Sequence, residues 1–424
     1  MHIFKFSALV YILLIFLLVD MASGEESGAF TFRAGLGYDF VSQEYFIDSV
    51  RLSGGDSLLE LSLLEKDYLD DKKALLFLRY QPDLKGQYIL EGGWEQTPEL
   101  FRASGRGFLA LGDNNNQLQA EFIADTKKRY RGEIEEGEEM TILDGTIKLK
   151  RQLFEGLSGR IRLSGESVNF DTSGLYIYNY SRLGGNLDFN FITGGYNSIY
   201  AKFGLEKRIV PDTVQLDYNI IRGGLGYLGS FLTGLASAEI TVESKKYNQL
   251  ENPDDYFLTS FQADLKLPMV KSFSLIGNLD LENYDFDEDN YINEDYRQAH
   301  FGLHGGWQNG DLSLSLGPEI EFLAIKSEFK NDDDYFEFYI HAGLDYFREG
   351  IFIFLDNQVG HRKYRNNPLF YSNFIFDRLS LIGSLTIFED LNADLLLSGE
   401  WEWHSVESDN SRLYLLSLNL TYTF

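Results

Sequence analysis

The 424-residue sequence predicts an all-β fold, a transmembrane antiparallel up-and-down β-barrel. Three observations lead there. Apolar and polar residues alternate with period two along most of the chain, which gives each strand one apolar and one polar face. Many alternating segments run about 10 to 13 residues, longer than strands of soluble sheets and long enough to cross a bilayer at a tilt. The links between them are alternately short and long, as in barrels whose hairpins turn tightly on one rim and loop out on the other.

The N-terminus comes first. His2 and Lys5 precede an uncharged apolar run from Phe6 to Val19, and Ala22-Ser23-Gly24 follows. The run is shorter than the ~20 residues of a spanning helix, and small residues come directly after it, as in a cleaved signal peptide. Cleavage is expected after Gly24, leaving residues 1–24 as the leader and 25–424 as the barrel. No plug domain is expected, because alternation begins a few residues later.

Along the chain, Phe30, Phe32, Ala34, Leu36, Tyr38 and Phe40 alternate with Thr31, Arg33, Gly35, Gly37 and Asp39. The same pattern returns at 312–322, 336–346 and 391–404. Short links stand at 53–56 (SGGD), 113–116, 154–156, 308–310 and 348–350. Longer, charged links stand at 127–140, 245–255, 283–295, 326–334 and 362–370. Working back from the last strand gives about 16–22 strands, with about 22 the best count, an even number that leaves both termini on one rim. The least regular stretch is Glu44 to Tyr80. Trp94, Trp307, Trp401 and Trp403 fall near strand ends, where an interfacial girdle sits.

Composition agrees and excludes. With 34 Phe, 26 Tyr and 40 Gly against 7 Pro, the chain suits long strands and tight turns. A net charge of −28 argues against nucleic acid as a partner. The absence of cysteine removes disulfides, thiolate metal sites and cysteine nucleophiles.

The last strand reads RLYLLSLNLTYTF, with Leu416, Leu418, Leu420, Tyr422 and Phe424 on one face. It resembles the C-terminal assembly signal of Gram-negative outer-membrane β-barrel proteins. The resemblance implies an outer-membrane location and recognition of Leu418, Leu420, Tyr422 and Phe424 by the barrel-assembly machinery. It also implies that the last strand descends, so both termini and the short turns are periplasmic. Over the rest of the chain it is one of general porin-like character, and no specific family is identified. Lacking a plug, the chain does not look like a TonB-dependent receptor.

Parity places Arg33, Arg160, Arg162, Lys202, Asp264, Asp280, Glu282, Glu319, Glu321, Asp345, Glu400 and Glu402 on the lumenal face, together with Asp39, Asp217 and Lys266. The C-terminal half shows few lumenal bases, and carboxylates lining a pore favour cations. Asp285, Asp287 and Asp289 have the alternate spacing of a calcium loop. Asn290 and Tyr296 replace its glycine and bidentate glutamate, so a divalent-cation site there is weakly signalled and no cofactor is otherwise expected. Lys127, Lys128, Arg129, Arg131, Lys245 and Lys246 open two loops and are candidates to meet lipopolysaccharide phosphates. Parity puts His300, His304, His341 and His404 inside, and neither G-x-S-x-G nor H-E-x-x-H occurs, so no enzyme is expected. The functional expectation is a pore passing small hydrophilic solutes by diffusion, as a single barrel or a homo-oligomer. A secretion or export barrel for polysaccharide or peptide, and a structural or adhesive surface barrel, stand as alternatives.

Overall fold

In the computed structural model, the described residues form a single antiparallel sheet of twenty strands. Backbone is described for residues 29–423 outside 55–56, 82–87, 97–99, 113–115, 130–138, 171–177, 195–196, 212, 250–253, 288–294, 327–333, 366–371, 389 and 407–408. Side chains are described for Arg79 and from residue 89 onward, apart from 95–101, 127–139, 423–424 and those gaps. The expected signal peptide, Phe424 and the side chain of Arg33 lie outside this set.

The strands are β1 (Ala29–Gly54), β2 (Ser57–Gln81), β3 (Tyr88–Gln96), β4 (Leu100–Gly112), β5 (Asn116–Arg129), β6 (Glu139–Phe154), β7 (Leu157–Phe170), β8 (Tyr180–Gly194), β9 (Asn197–Ile209) and β10 (Tyr218–Phe231). They continue with β11 (Gly234–Tyr247), β12 (Tyr256–Pro268), β13 (Phe273–Phe286), β14 (Tyr296–Asn309), β15 (Leu312–Ile325), β16 (Tyr335–Arg348), β17 (Ile351–Tyr364), β18 (Phe374–Phe388), β19 (Leu391–His404) and β20 (Ser411–Thr423). Each pairs with the next. β1 also pairs with β20, from Arg33 opposite Thr423 to Glu44 opposite Arg412, so every strand has a neighbour on both sides.

Twenty strands fall within the expected range and two below its best count. The difference lies in the irregular stretch. Residues 44–80 do not fold into extra crossings, because β1 and β2 run 26 and 25 residues as one long hairpin. β20 pairs with β1 only as far as Glu44, so the tip of that hairpin projects beyond the sheet. The SGGD turn at 53–56 therefore sits on the rim opposite the chain termini, not among the short turns as expected. The 127–140 link also shrinks to residues 130–138, because pairing of β5 with β6 extends to Lys128 and Glu139.

The other short links keep their rim. Turns 155–156, 310–311 and 349–350 lie beside the termini. Gly156 (φ 81°) and Gly350 (φ 74°) take the left-handed backbone that a two-residue turn requires. The opposite rim carries the long links, and seven of them are closed by the same device. An Asp or Asn side chain just before a strand accepts the backbone N–H that ends or adjoins the end of the preceding strand: Asn179 from Phe170 (2.7 Å), Asp217 from Val210 (2.6 Å), Asp255 from Tyr247 (2.6 Å) and Asp295 from Phe286 (2.6 Å). Asp334, Asn373 and Asn410 repeat it toward Ile325 (2.7 Å), Tyr364 (2.8 Å) and His404 (2.7 Å). Asp217 is thus a loop closure rather than a lumenal charge.

The two faces bury the opposite of what a soluble sheet buries. On β15 and β16, Leu316 is 59% and Phe338 42% exposed, whereas Glu319 and Glu337 are 5% and 1% exposed. The apolar face looks outward and the polar face inward, as a barrel in lipid requires. Leu418, Leu420 and Tyr422 share the outward face, as the last strand predicts. Exposed Phe154, Phe231, Phe273, Phe347 and Phe388 ring the terminal rim, and Trp403 stands near the other.

Two stability outcomes follow, each read by urea unfolding in lipid vesicles. Leu316→Arg should cost ~2–4 kcal/mol, while a charge at lumenal Ser315 should cost far less. Asp334→Ala should cost ~1–3 kcal/mol by orphaning the Ile325 amide, and Asp334→Asn less.

Candidate functional site

The inner face is a continuous wall of paired charges. Because side chains alternate, each strand contributes every second residue to it. Arg102 meets Asp125 (2.6 Å), Arg106 meets Glu121 (2.6 Å) and Glu91 (3.1 Å), Arg182 meets Glu166 (2.6 Å), and Arg222 meets Glu243 and Glu206 (3.1 Å for the latter). Of the expected residues, Arg160 pairs with Asp188 (2.7 Å), Lys202 with Glu239 (2.7 Å) and Glu400 with Arg378 (2.7 Å). Asp264 accepts from Ser237 (2.9 Å), and Glu282 and Glu321 accept from Tyr296 and Tyr335 (2.5 Å each). Glu402 accepts from Ser411 (2.8 Å). Arg162 and Asp345 are exposed on the inner face.

Two recesses open on this wall. One of about 420 Å³ is lined by Lys150, Arg160, Asp188, Tyr200 and Lys202. The other, of about 280 Å³, is lined by Asp280, Glu282, Gln298, His300, Glu321 and Tyr339. The first is predominantly basic and belongs to β6–β9; the second is predominantly acidic and belongs to β12–β16.

The C-terminal half has two lumenal bases that the parity reading did not name, Arg362 and Arg378. Arg362 (2.6 Å) and Arg378 (3.3 Å) both hold Glu337, which is almost fully buried. Aromatic rings cover the trio: Arg362 lies 4.1 Å from the Tyr335 ring centroid and Arg378 4.2 Å from that of Phe376. Beside it, Glu319 is surrounded by His300 (2.6 Å), His304 (2.8 Å), His341 (2.7 Å) and the Tyr339 hydroxyl, which donates to it (2.7 Å). Expected Asp280 joins through His300 (3.3 Å).

Other expected groups are placed differently. Asp285 pairs with Lys326 (2.5 Å) and Asp287 with Lys246, so these two carboxylates face separate lysines; Asp289 lies outside the described residues. Lys245 is not a loop base. It lies on the inner face, 4.6 Å from the ring centroids of Tyr218 and Tyr247. Ser372 and His404 meet at 2.9 Å, with Glu402 at 3.2 Å from the other ring nitrogen. Ser372 also donates to Asp409 (2.9 Å).

The wall was legible as a parity; its pairings were not, since partners lie up to 41 residues apart. One signal was available and unused. Asn179, Asp217, Asp255, Asp295, Asp334, Asn373 and Asn410 recur about 39 residues apart, most of them followed by Tyr or Phe, the spacing of an internal hairpin repeat.

The buried and exposed pairs should behave differently in urea unfolding. Glu337→Ala should cost ~3–5 kcal/mol by stranding the half-buried Arg362 guanidinium and taking one of two carboxylates from Arg378. Arg160→Ala, whose side chain is 56% exposed, should cost under ~1 kcal/mol.

No protein-family model matches the chain, and no curated protein matches its sequence. Solved structures do. The FrpB iron transporter from Neisseria meningitidis (F5-1 variant) is 10% identical, with a TM-score of 0.58 over 95% of this chain and 83% of that one. The siderophore receptor PirA from Acinetobacter baumannii is 6% identical, with a TM-score of 0.57 over 92% and 80%. The copper transporter OprC is 9% identical, with a TM-score of 0.54 over 94% and 81%. At such identities the likeness is one of architecture. With the inverted faces, the alternating rims and the β1–β20 pairing, it establishes that the chain has the fold of the outer-membrane β-barrel proteins.

Proposed function

We propose that the protein is an outer-membrane pore through which small hydrophilic solutes diffuse passively, cations ahead of anions. The observation that carries the proposal is the charged inner face around a twenty-strand ring. Strands about 4.8 Å apart, tilted by about 40°, enclose a ring of roughly 20 Å radius, wider than the 16–18-stranded barrels that already hold aqueous channels. The longest links, such as 130–138, are nine residues. Anchored at both ends, such a link reaches inward about 15 Å at full stretch, which narrows the lumen without filling it. Transport also suits the fold's neighbours, named as transporters and receptors.

Cation preference rests on the carboxylates left without a basic partner on the inner wall, Glu282, Glu321, Asp345 and Asp394 among them. The chain's net charge of −28 concentrates cations at the mouths. In this reading the terminal rim faces the periplasm and the long charged links face outward. Lys207, Lys246 and Lys363, on the outer face near that rim, would meet lipopolysaccharide phosphates.

Planar-bilayer recording of the refolded barrel tests the pore: steady open steps are expected, and a barrel that never conducts refutes it. Under a salt gradient the reversal potential should report cation selectivity. Replacing Glu282, Glu321, Asp345 and Asp394 by their amides should move it toward the value of an unselective pore. An unmoved potential would remove the charge mechanism while leaving the pore.

A further inference from the structure

We propose that His304, Glu319 and His341 form a binding site for a transition-metal dication of the Zn(II) class on the inner wall. The three residues come from successive strands, β14, β15 and β16, all on the inward parity. Their ligand atoms lie within 4.8 Å of one another. His304 Nε2 and His341 Nδ1 approach the same carboxylate oxygen, Glu319 Oε1, at 2.8 and 2.7 Å. The two rings meet edge to face at 83° with centroids 5.0 Å apart, so their nitrogens arrive from different directions. Bonds of 2.0–2.2 Å to a tetrahedral metal place ligand atoms about 3.3 Å apart. The two His–Glu319 spacings therefore have to open by about half an ångström, within the reach of small side-chain rotations.

His304 is the observation that points to a ligand. Its side chain is only 10% exposed, and Nε2 is close to a carboxylate oxygen, yet that nitrogen makes no hydrogen bond. Buried polar atoms are nearly always bonded, so an orphan of this kind needs a partner. The ring reaches its position because residue 317 is glycine. A Cβ there would come within 2.5 Å of both the Cα and the Cδ2 of His304.

The surroundings hold the other two ligands in place. Asp356 lies 2.5 Å from His341 Nε2, the carboxylate–histidine arrangement that sets the tautomer of a metal-bound imidazole. Tyr339 and His300 engage Glu319 Oε2 at 2.7 and 2.6 Å, leaving Oε1 for the metal. Two imidazoles and one carboxylate suit Zn(II), Cu(II) or Ni(II), whereas Ca²⁺ and Mg²⁺ take oxygen ligands throughout. Three protein ligands leave a fourth position for water or a passing solute. The site needs the barrel wall but not an open lumen, so it stands or falls separately from passive diffusion.

The test uses the refolded full-length barrel, stripped with chelator and titrated with Zn(II), its metal content measured after dialysis. One Zn(II) per chain is expected. His304→Ala and His341→Ala should each weaken binding by more than 100-fold, and Asp356→Asn by about 10–100-fold. His361→Ala, on the outer face, should change nothing. Heat-modifiable gel mobility checks folding, and His304→Gln, closer in size and polarity, replaces the alanine variant if that one misfolds. Retention of Co(II) with visible ligand-field bands, lost in the same variants, would identify imidazole in the site. A wild-type barrel that retains no Zn(II), or retention unchanged by the His304 and His341 variants, overturns the proposal and leaves these histidines as ion-pair partners of Glu319.

Discussion

Closure of the backbone hydrogen-bond ladder is the constraint on which everything else depends. Hydrocarbon offers no partner to an amide N–H or a carbonyl, so a chain that crosses a bilayer as strands must pair every strand on both sides. The twelve-residue ladder from Arg33–Thr423 to Glu44–Arg412 meets that demand by joining the first strand to the last. It also explains the long first hairpin. Only the part of β1 that β20 can reach belongs to the closed wall, and the remainder pairs with β2 alone.

Once the ring is closed, solvent is divided. Apolar side chains face outward, and polar ones crowd the concave side. Curvature brings side chains from alternate strands within reach. Arg378 on β18 meets Glu337 on β16, and Lys202 on β9 meets Glu239 on β11. A buried charge is costly unless paired and hydrogen-bonded. The inner wall meets that condition with arginine forks and tyrosine hydroxyls, and at Glu319 with the imidazoles of His300 and His341. The Asp and Asn residues at the loop rim serve the same need, capping amides where the sheet ends.

Period-two alternation made the fold class and the inward or outward direction of most side chains readable, because parity is a local property of an extended chain. Leu418 and Leu420 point out and Glu319 and Glu400 point in, as parity requires. Alternation is least regular in residues 44–80, whose first part forms the tip of the β1–β2 hairpin beyond the pairing of β1 with β20. It also did not reveal two lumenal bases of the C-terminal half. Arg362 and Arg378 stand in stretches without clean alternation, and only the register of β16 with β17 and of β17 with β18 brings them to Glu337.

The sequence by itself determined the all-β class, the alternating rims and the two-faced strands, since each follows from residues within one or two hairpins. Tertiary structure decided the strand number, the rim on which the 53–56 turn lies and the identity of every charge pair. It alone gathered His304, Glu319 and His341. Those residues share a parity in sequence, but their distances depend on register and curvature, which no single strand encodes.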